Sequence, residues 1–236
     1  MIHPARILAA LLALGALLFA GAAHAEPIQI VAFGDSNTAG FGVAGKQTYP
    51  AQLERALKAK GYDVEVTNSG VSGHTSARGL ARFDAAIAED TDIAIVFFGR
   101  NDVRWGVDPE KTRANIDAIV QRLRQQKIEV ILAGFHTKDF SEIAAVNGAF
   151  YYPDFFAGVA ANGVKHPKYM LFWDPIGHLN AAGYDEIVSR MSPLVETAVI
   201  KVFCNRLEEA AMFEPRCEAY RAPAIVTGSA TRTLTR

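Results

Sequence analysis

The stretch Val31-Ala-Phe-Gly-Asp-Ser-Asn-Thr-Ala-Gly40 decides how this chain is read. An apolar run over residues 28–33 stops at Gly34-Asp35, and a serine follows at once. A strand that ends in a tight turn and feeds a helix presents that hydroxyl at the carboxyl edge of a sheet. The first N–H groups of such a helix lack intrahelical acceptors and can hold a developing negative charge. Ser36 is therefore a candidate nucleophile, and the rest of the chain must supply its base.

Upstream, Arg6 is the lone basic residue before an uncharged apolar run over residues 7–20. Ala23-His24-Ala25 then reads as a small-x-small cleavage site, so residues 1–25 are expected to be an export signal. The run is shorter than the roughly 20 residues a spanning helix needs. Cleavage would leave about 211 of the 236 residues, enough for one domain with a substantial core, in the periplasm or outside the cell. We place that domain at residues 26–200, with a C-terminal extension over 201–236. The net charge of −1 excludes a global field that would gather nucleic acid or anionic lipid. Cys204 and Cys217 are read as a disulfide in an oxidising compartment, the alternative being two free thiols. No His pair stands near them at zinc-ligand spacing. From residue 219 the tail is Thr/Ser/Ala/Arg-rich and lacks periodicity, and is expected to be disordered.

Downstream, strand and helix patterns alternate. Strands are predicted over 28–33, 64–67, 92–98, 128–133 and 169–173. Helices are predicted over 50–60, 79–88, 109–126, 150–161 and 181–199. The runs over 92–98 and 128–133 are continuously apolar, as strands covered on both faces require. This order predicts an α/β fold: a three-layer α/β/α sandwich around a five-stranded, mostly parallel sheet with a flavodoxin-like layout. In such sheets function gathers in the loops after the strands.

Three post-strand loops and one pre-helix segment carry the polar residues. They are Gly34-Asp35-Ser36-Asn37, Asn68-Ser69-Gly70-Val71-Ser72-Gly73, Gly99-Arg100-Asn101-Asp102 and Asp174-Pro175-Ile176-Gly177-His178-Leu179-Asn180. Parallel topology brings all four to one edge. Ser36 needs a base to attack at neutral pH, and His178 is the natural one. Asp174 can set the tautomer of His178 and stabilise its imidazolium. The Ser36 N–H, the Gly70 N–H and the Asn101 amide are the candidate oxyanion donors. Asp35 is read as a brace for the turn.

These blocks resemble the SGNH (GDSL-type) hydrolases, with Ser36, Gly70, Asn101 and His178 standing for the four name-giving residues. The resemblance covers about residues 28–199 and is closest to the small secreted thioesterase I, lysophospholipase and arylesterase branch. It implies a serine esterase acting on a small ester or thioester substrate through an acyl-enzyme, with no cofactor and no metal. Two other readings stay open: a carbohydrate O-acetyl esterase, and an SGNH-like binding module that has lost turnover. The second has a specific motive. The family's aspartate usually stands three residues before the histidine, whereas Asp174 stands four before His178, so the turn must bulge for the carboxylate to reach. The segment over 150–164 is also short for that branch, which implies a trimmed substrate-covering loop.

The remaining candidates are weighed as bystanders. His74 and His136 are loop residues, with His136 a possible pocket border, and His166 is a surface residue. Arg100 and Arg104 are either solvated or positioned to meet an anionic substrate. Phe150, Tyr151, Tyr152, Phe155 and Phe156 are mainly core, with one or two available to line an acyl site. Gly40-Phe41-Gly42 superficially suggests a nucleotide loop but does not lie directly between a strand and a helix.

Overall fold

The computed structural model describes residues 26–136, 138–161, 164–212, 214 and 217. The proposed export signal and the tail from residue 219 lie outside them. Five strands, β1 (Ile28–Gly34), β2 (Val64–Gly70), β3 (Ile93–Phe97), β4 (Glu129–Ala133) and β5 (Phe150–Tyr152), form one sheet. Their order is β2-β1-β3-β4-β5, and every pairing is parallel. All residues of β3 and β4 are buried, because helices cover both faces.

The helices are α1 (Ser36–Ala39), α2 (Tyr49–Ala59), α3 (Ser76–Ala81), α4 (Phe83–Ala86), α5 (Arg100–Arg104), α6 (Pro109–Gln125), α7 (Ser141–Val146) and α8 (Ala181–Glu209). Helices α2 and α8 pack on each other and on the sheet, while α3, α6 and α7 form the opposite layer. Side-chain caps set several starts: Thr48, Thr75, Asp108 and Asn180 each accept from a backbone N–H in the first turn of the helix that follows. The expected three-layer sandwich with a flavodoxin-like order is the architecture observed.

Register is what positions the site. Gly34 at the end of β1 lies level with Gly70 of β2 and Phe97 of β3. The three loops that follow therefore leave the sheet side by side. Strand β2 runs three residues further than its apolar pattern predicts. Pairing with β1 holds residues 68–70 in the ladder although none of them has an apolar side chain.

Two expected elements are corrected. Residues 150–161, predicted helical, contain β5, a turn and the short strand β6 (Ala160–Ala161). Three consecutive aromatics favour a pleated edge, and Pro153 ends it. Residues 169–173, predicted as the last strand, lie outside the sheet: a 3-10 turn (Pro167–Tyr169) leads into a loop held by the Met170–Leu179 bridge. Strand β6 pairs antiparallel with β7 (Val164–Lys165), and this hairpin reaches toward the carboxyl edge.

Helix α8 runs through residue 200, where the sequence suggested a boundary, to Glu209. Arg206 anchors its end: the guanidinium donates to both oxygens of Asp92 at 2.8 and 2.7 Å and to the Glu26 carbonyl at 2.7 Å. Cys204 and Cys217 are disulfide-bonded.

Candidate active site

Gly34 ends β1 with no room for a side chain. A Cβ there would stand 2.1 Å from the Thr38 hydroxyl and 2.7 Å from the Phe97 carbonyl. Asp35 caps α1, its Oδ1 accepting from the Asn37 N–H at 2.9 Å and the Asn37 amide at 3.0 Å. Burial pushes the Asp35 carboxyl up, against the pull of the Asn37 hydrogen bonds and of Arg100 and His178. Gly40, at φ 78°, closes the helix after one turn. Ser36 is thus held on a turn fixed at both ends.

Ser36 Oγ lies 2.8 Å from His178 Nε2. His178 Nδ1 lies 2.6 Å from Asp174 Oδ2. The same oxygen accepts from the His178 backbone N–H at 2.6 Å, and Oδ1 accepts from the Ile176 N–H at 3.2 Å. Gly177, at φ 79°, absorbs the extra residue of this loop, so the bulge turns the carboxylate inward. Burial pushes the Asp174 carboxyl up, but the His178 backbone and ring hydrogen bonds and the Ile176 N–H outweigh it, and the group sits below the ordinary carboxylate range. The ring of Phe41 lies 4.6 Å from the His178 ring and 6.0 Å from that of Trp173, walling the imidazole on the outer side.

Asn101 opens toward the same space. Its Nδ2 donates to the His74 carbonyl at 2.9 Å and stands 3.5 Å from Asp35 Oδ2, so one of its two hydrogens is firmly held and the other only weakly. Asp35, Ser36, Asn101 and His178 line a cavity of about 550 Å³, together with Gly73, Arg100, Phe156 and Lys165.

Gly70 does not line it. Its N–H donates to Asn68 Oδ1 at 3.0 Å, and a Cβ there would stand 2.1 Å from the Ala39 nitrogen. Its smallness lets β2 pack against α1. Expecting Gly70 as an oxyanion donor is therefore a correction to make, and its cause is the length of β2: Gly70 is still in the ladder. Gly73, three residues on, has φ 79°, a Cα open to the cavity and an N–H without a protein acceptor among the described residues. The quoted loop Val71-Ser72-Gly73 contained it, and a correct strand end would have pointed there.

These two glycines carry a prediction. Gly70→Ala is expected to cost about 2 kcal/mol, since backbone must move to admit the methyl. Gly73→Ala meets no atom and is expected to cost about 1 kcal/mol of left-handed strain. Urea unfolding of both variants checks this, and equal losses would contradict the packing role of Gly70.

Arg82 braces the site from behind. It donates to the Gly34 carbonyl at 3.0 Å, the Ser69 carbonyl at 2.7 Å and His74 Nδ1 at 3.1 Å, with its guanidinium 4.6 Å from the Phe33 ring centre. It ties the ends of β1 and β2 to the loop that holds Asn101. His136, Arg100 and Arg104 border the cavity, whereas His166 caps the 3-10 turn by accepting from the Lys168 N–H. Phe155 is core and Phe156 reaches the cavity. Phe41 and Lys165 were not legible as site residues. Phe41 follows the capping turn, and Lys165 enters through the hairpin mistaken for a helix end.

A serine, an imidazole and a carboxylate in relay at the carboxyl edge of a parallel sheet define a nucleophile site of the α/β class. The chain belongs to the GDSL-like lipase/acylhydrolase family, which residues 32–186 match. Over 122 residues it is 36% identical to Esterase TesA of Pseudomonas aeruginosa, covering 51% of this chain and 60% of that protein. Over 117 residues it is 32% identical to thioesterase 1/protease 1/lysophospholipase L1 of Escherichia coli (strain K12), covering 49% and 54%. The chain thus spans little more than half the length of these curated relatives. Among solved structures, AlinE4, an SGNH-hydrolase family esterase, superposes with a TM-score of 0.59 at 32% identity, covering 75% of this chain and 98% of that one. A crystal structure of TesA gives 0.65 at 26% identity, covering 72% and 99%.

Proposed function

We propose that this chain is a serine hydrolase of carboxylic esters or thioesters, acting from an exported location. The observation that supports it most is the continuous relay: Ser36 Oγ to His178 Nε2 at 2.8 Å, and His178 Nδ1 to Asp174 Oδ2 at 2.6 Å. As His178 Nε2 removes its proton, Ser36 Oγ attacks the substrate carbonyl carbon. The carbonyl oxygen becomes an oxyanion, met by the Ser36 N–H, the Gly73 N–H and the loosely held Asn101 hydrogen. The C–O or C–S bond then breaks, and the leaving alcohol or thiol takes the proton from His178. Water attacks the acyl-enzyme with His178 again as base, the acid departs, and Ser36 regains its proton.

The binding-module alternative was motivated by doubt that Asp174 reaches His178, and the 2.6 Å contact removes that motive. The Asp174 charge is available at neutral pH, because its pKa is lowered. A fluorophosphonate probe tests the reading directly. Mass analysis is expected to find the phosphonyl group on Ser36, and labelling elsewhere, or none, would count against it. Acetylated xylan assayed beside acyl esters of rising chain length separates the carbohydrate O-acetyl reading from the acyl-ester one.

A further inference from the structure

Two cations face the cavity, and neither makes an ion pair with a carboxylate among the described residues. The Arg100 guanidinium lies 4.8 Å and the Lys165 ammonium 4.3 Å from the ring centre of Phe156. Both are half-buried and line the same cavity as Ser36 and His178. Arg100 has no hydrogen-bond partner among the described residues, and Lys165 donates only to the Gly177 carbonyl. Elsewhere in the fold, Arg124 and Lys201 share Glu129 and Arg206 holds Asp92, while the half-buried Arg82 is satisfied by two carbonyls and His74.

The charge balance of the cavity points the same way. Arg100, Arg104 and Lys165 line it, against one carboxylate, Asp35. Both Asp35 oxygens accept from amides, those of Asn37 and Asn101, and its charge acts on Arg100 and Lys165 without an ion-pair contact. Desolvating a cation without an anion is costly, and a fold with no use for it would let the side chain reach water. Lys165 is instead threaded in on β7 and its ammonium fastened beside His178 by the Gly177 carbonyl. Burial, followed by the charge of Arg100, lowers its pKa to about 7, with Asp35 and Asp174 opposing. An anion placed between the two cations reverses that penalty.

We propose that the substrate of this site is an ester bearing an anionic group, a carboxylate or phosphate, a few bonds from the scissile carbonyl and bound by Arg100 and Lys165. The proximity of both cations to the machinery sets that distance: Arg100 adjoins Asn101 in the chain, and Lys165 bonds the residue before His178. The inference rests on the hydrolase reading above and deepens it to a substrate class.

Matched ester pairs test it on the full chain at low ionic strength. Mono-phenyl adipate against phenyl hexanoate places the charge on the acyl side. The 4-carboxyphenyl acetate against 4-(methoxycarbonyl)phenyl acetate places it on the leaving group, and phosphorylated counterparts of the preferred member distinguish phosphate from carboxylate. At least one anionic member is expected to exceed its neutral partner in kcat/KM by roughly tenfold, a preference that added salt weakens. Arg100→Gln and Lys165→Gln are each expected to lower that ratio several-fold, and Lys165→Arg to restore it. The ratio is the readout, because damage to the fold depresses both members of a pair alike. Equal or faster turnover of the neutral esters in every pair, or a ratio that both variants leave untouched, overturns the proposal. Turnover of neutral esters without a charge preference overturns this inference alone. Absence of turnover on every ester overturns the hydrolase reading and this inference with it.

Discussion

Ser36→Ala is expected to lower kcat on p-nitrophenyl butyrate by about 10⁴- to 10⁶-fold. The substitution removes the Ser36 hydroxyl that stands 2.8 Å from His178 Nε2 and changes little else. Asp35 still caps α1 through Asn37, and Gly40 still closes it, so the turn keeps its shape. Ser36 as a whole is only 7% exposed, so the methyl brings little new apolar surface to water. Stability in urea should therefore stay within about 1 kcal/mol of the parent. The residual rate measures what the oxyanion donors and binding supply without a nucleophile. Turnover close to that of the parent would show that another group attacks. The same variant should resist the phosphonate probe completely, which separates a lost nucleophile from a lost pocket.

Asp174→Asn is the second large effect, with kcat expected to fall by about 10²- to 10⁴-fold and KM to change little. The contacts explain both the loss and its range. Asp174 Oδ2 accepts from the ring and from the backbone N–H of His178, while Oδ1 accepts from the Ile176 N–H. An asparagine has one oxygen and one NH₂. With the oxygen toward His178 the tautomer survives, but the negative charge opposite the imidazolium is gone and NH₂ faces the Ile176 N–H. With the amide reversed, NH₂ faces the His178 N–H, and the ring turns its unprotonated nitrogen the wrong way. Steady-state kinetics on one neutral ester checks the prediction, and a loss below about tenfold would point to another orienting group. The sign of the pH dependence follows from the lowered pKa of Asp174. Its carboxylate is ionised through the neutral and mildly acidic range, and its contribution disappears as pH falls through that lowered value. The gap between parent and variant should therefore persist at neutral pH and close only in acid.

Much of this site was legible because each element of it is a local pattern. Ser36 follows an apolar run and a Gly-Asp turn, and that sequence alone places a hydroxyl at a strand end. Asn101 follows the all-apolar β3, and His178 stands just before a helix capped by Asn180. Where local patterns were weak, the reading slipped. The last residues of β2 are Asn68, Ser69 and Gly70, which look like a loop and are strand only because β1 pairs with them. That displaced the glycine that faces the cavity by three positions. The aromatic triplet of β5 was read as part of a helix because its strand character comes from pairing with β4 and not from its own spacing.

The sequence by itself determined the alternation of strands and helices, the parallel sheet and the choice of Ser36, His178 and Asp174 as the residues proposed for nucleophile, base and orienting acid, since hydrophobic period and turn chemistry act over a few residues. Only the tertiary structure decided that the four-residue spacing still lets Asp174 meet His178, that Gly73 rather than Gly70 faces the cavity, and that Arg100 and Lys165 share one aromatic ring in the cavity that Ser36 lines. Those outcomes depend on strand register and on how a hairpin folds back over the sheet edge. Both are set by contacts between residues far apart in the chain, which no local pattern encodes.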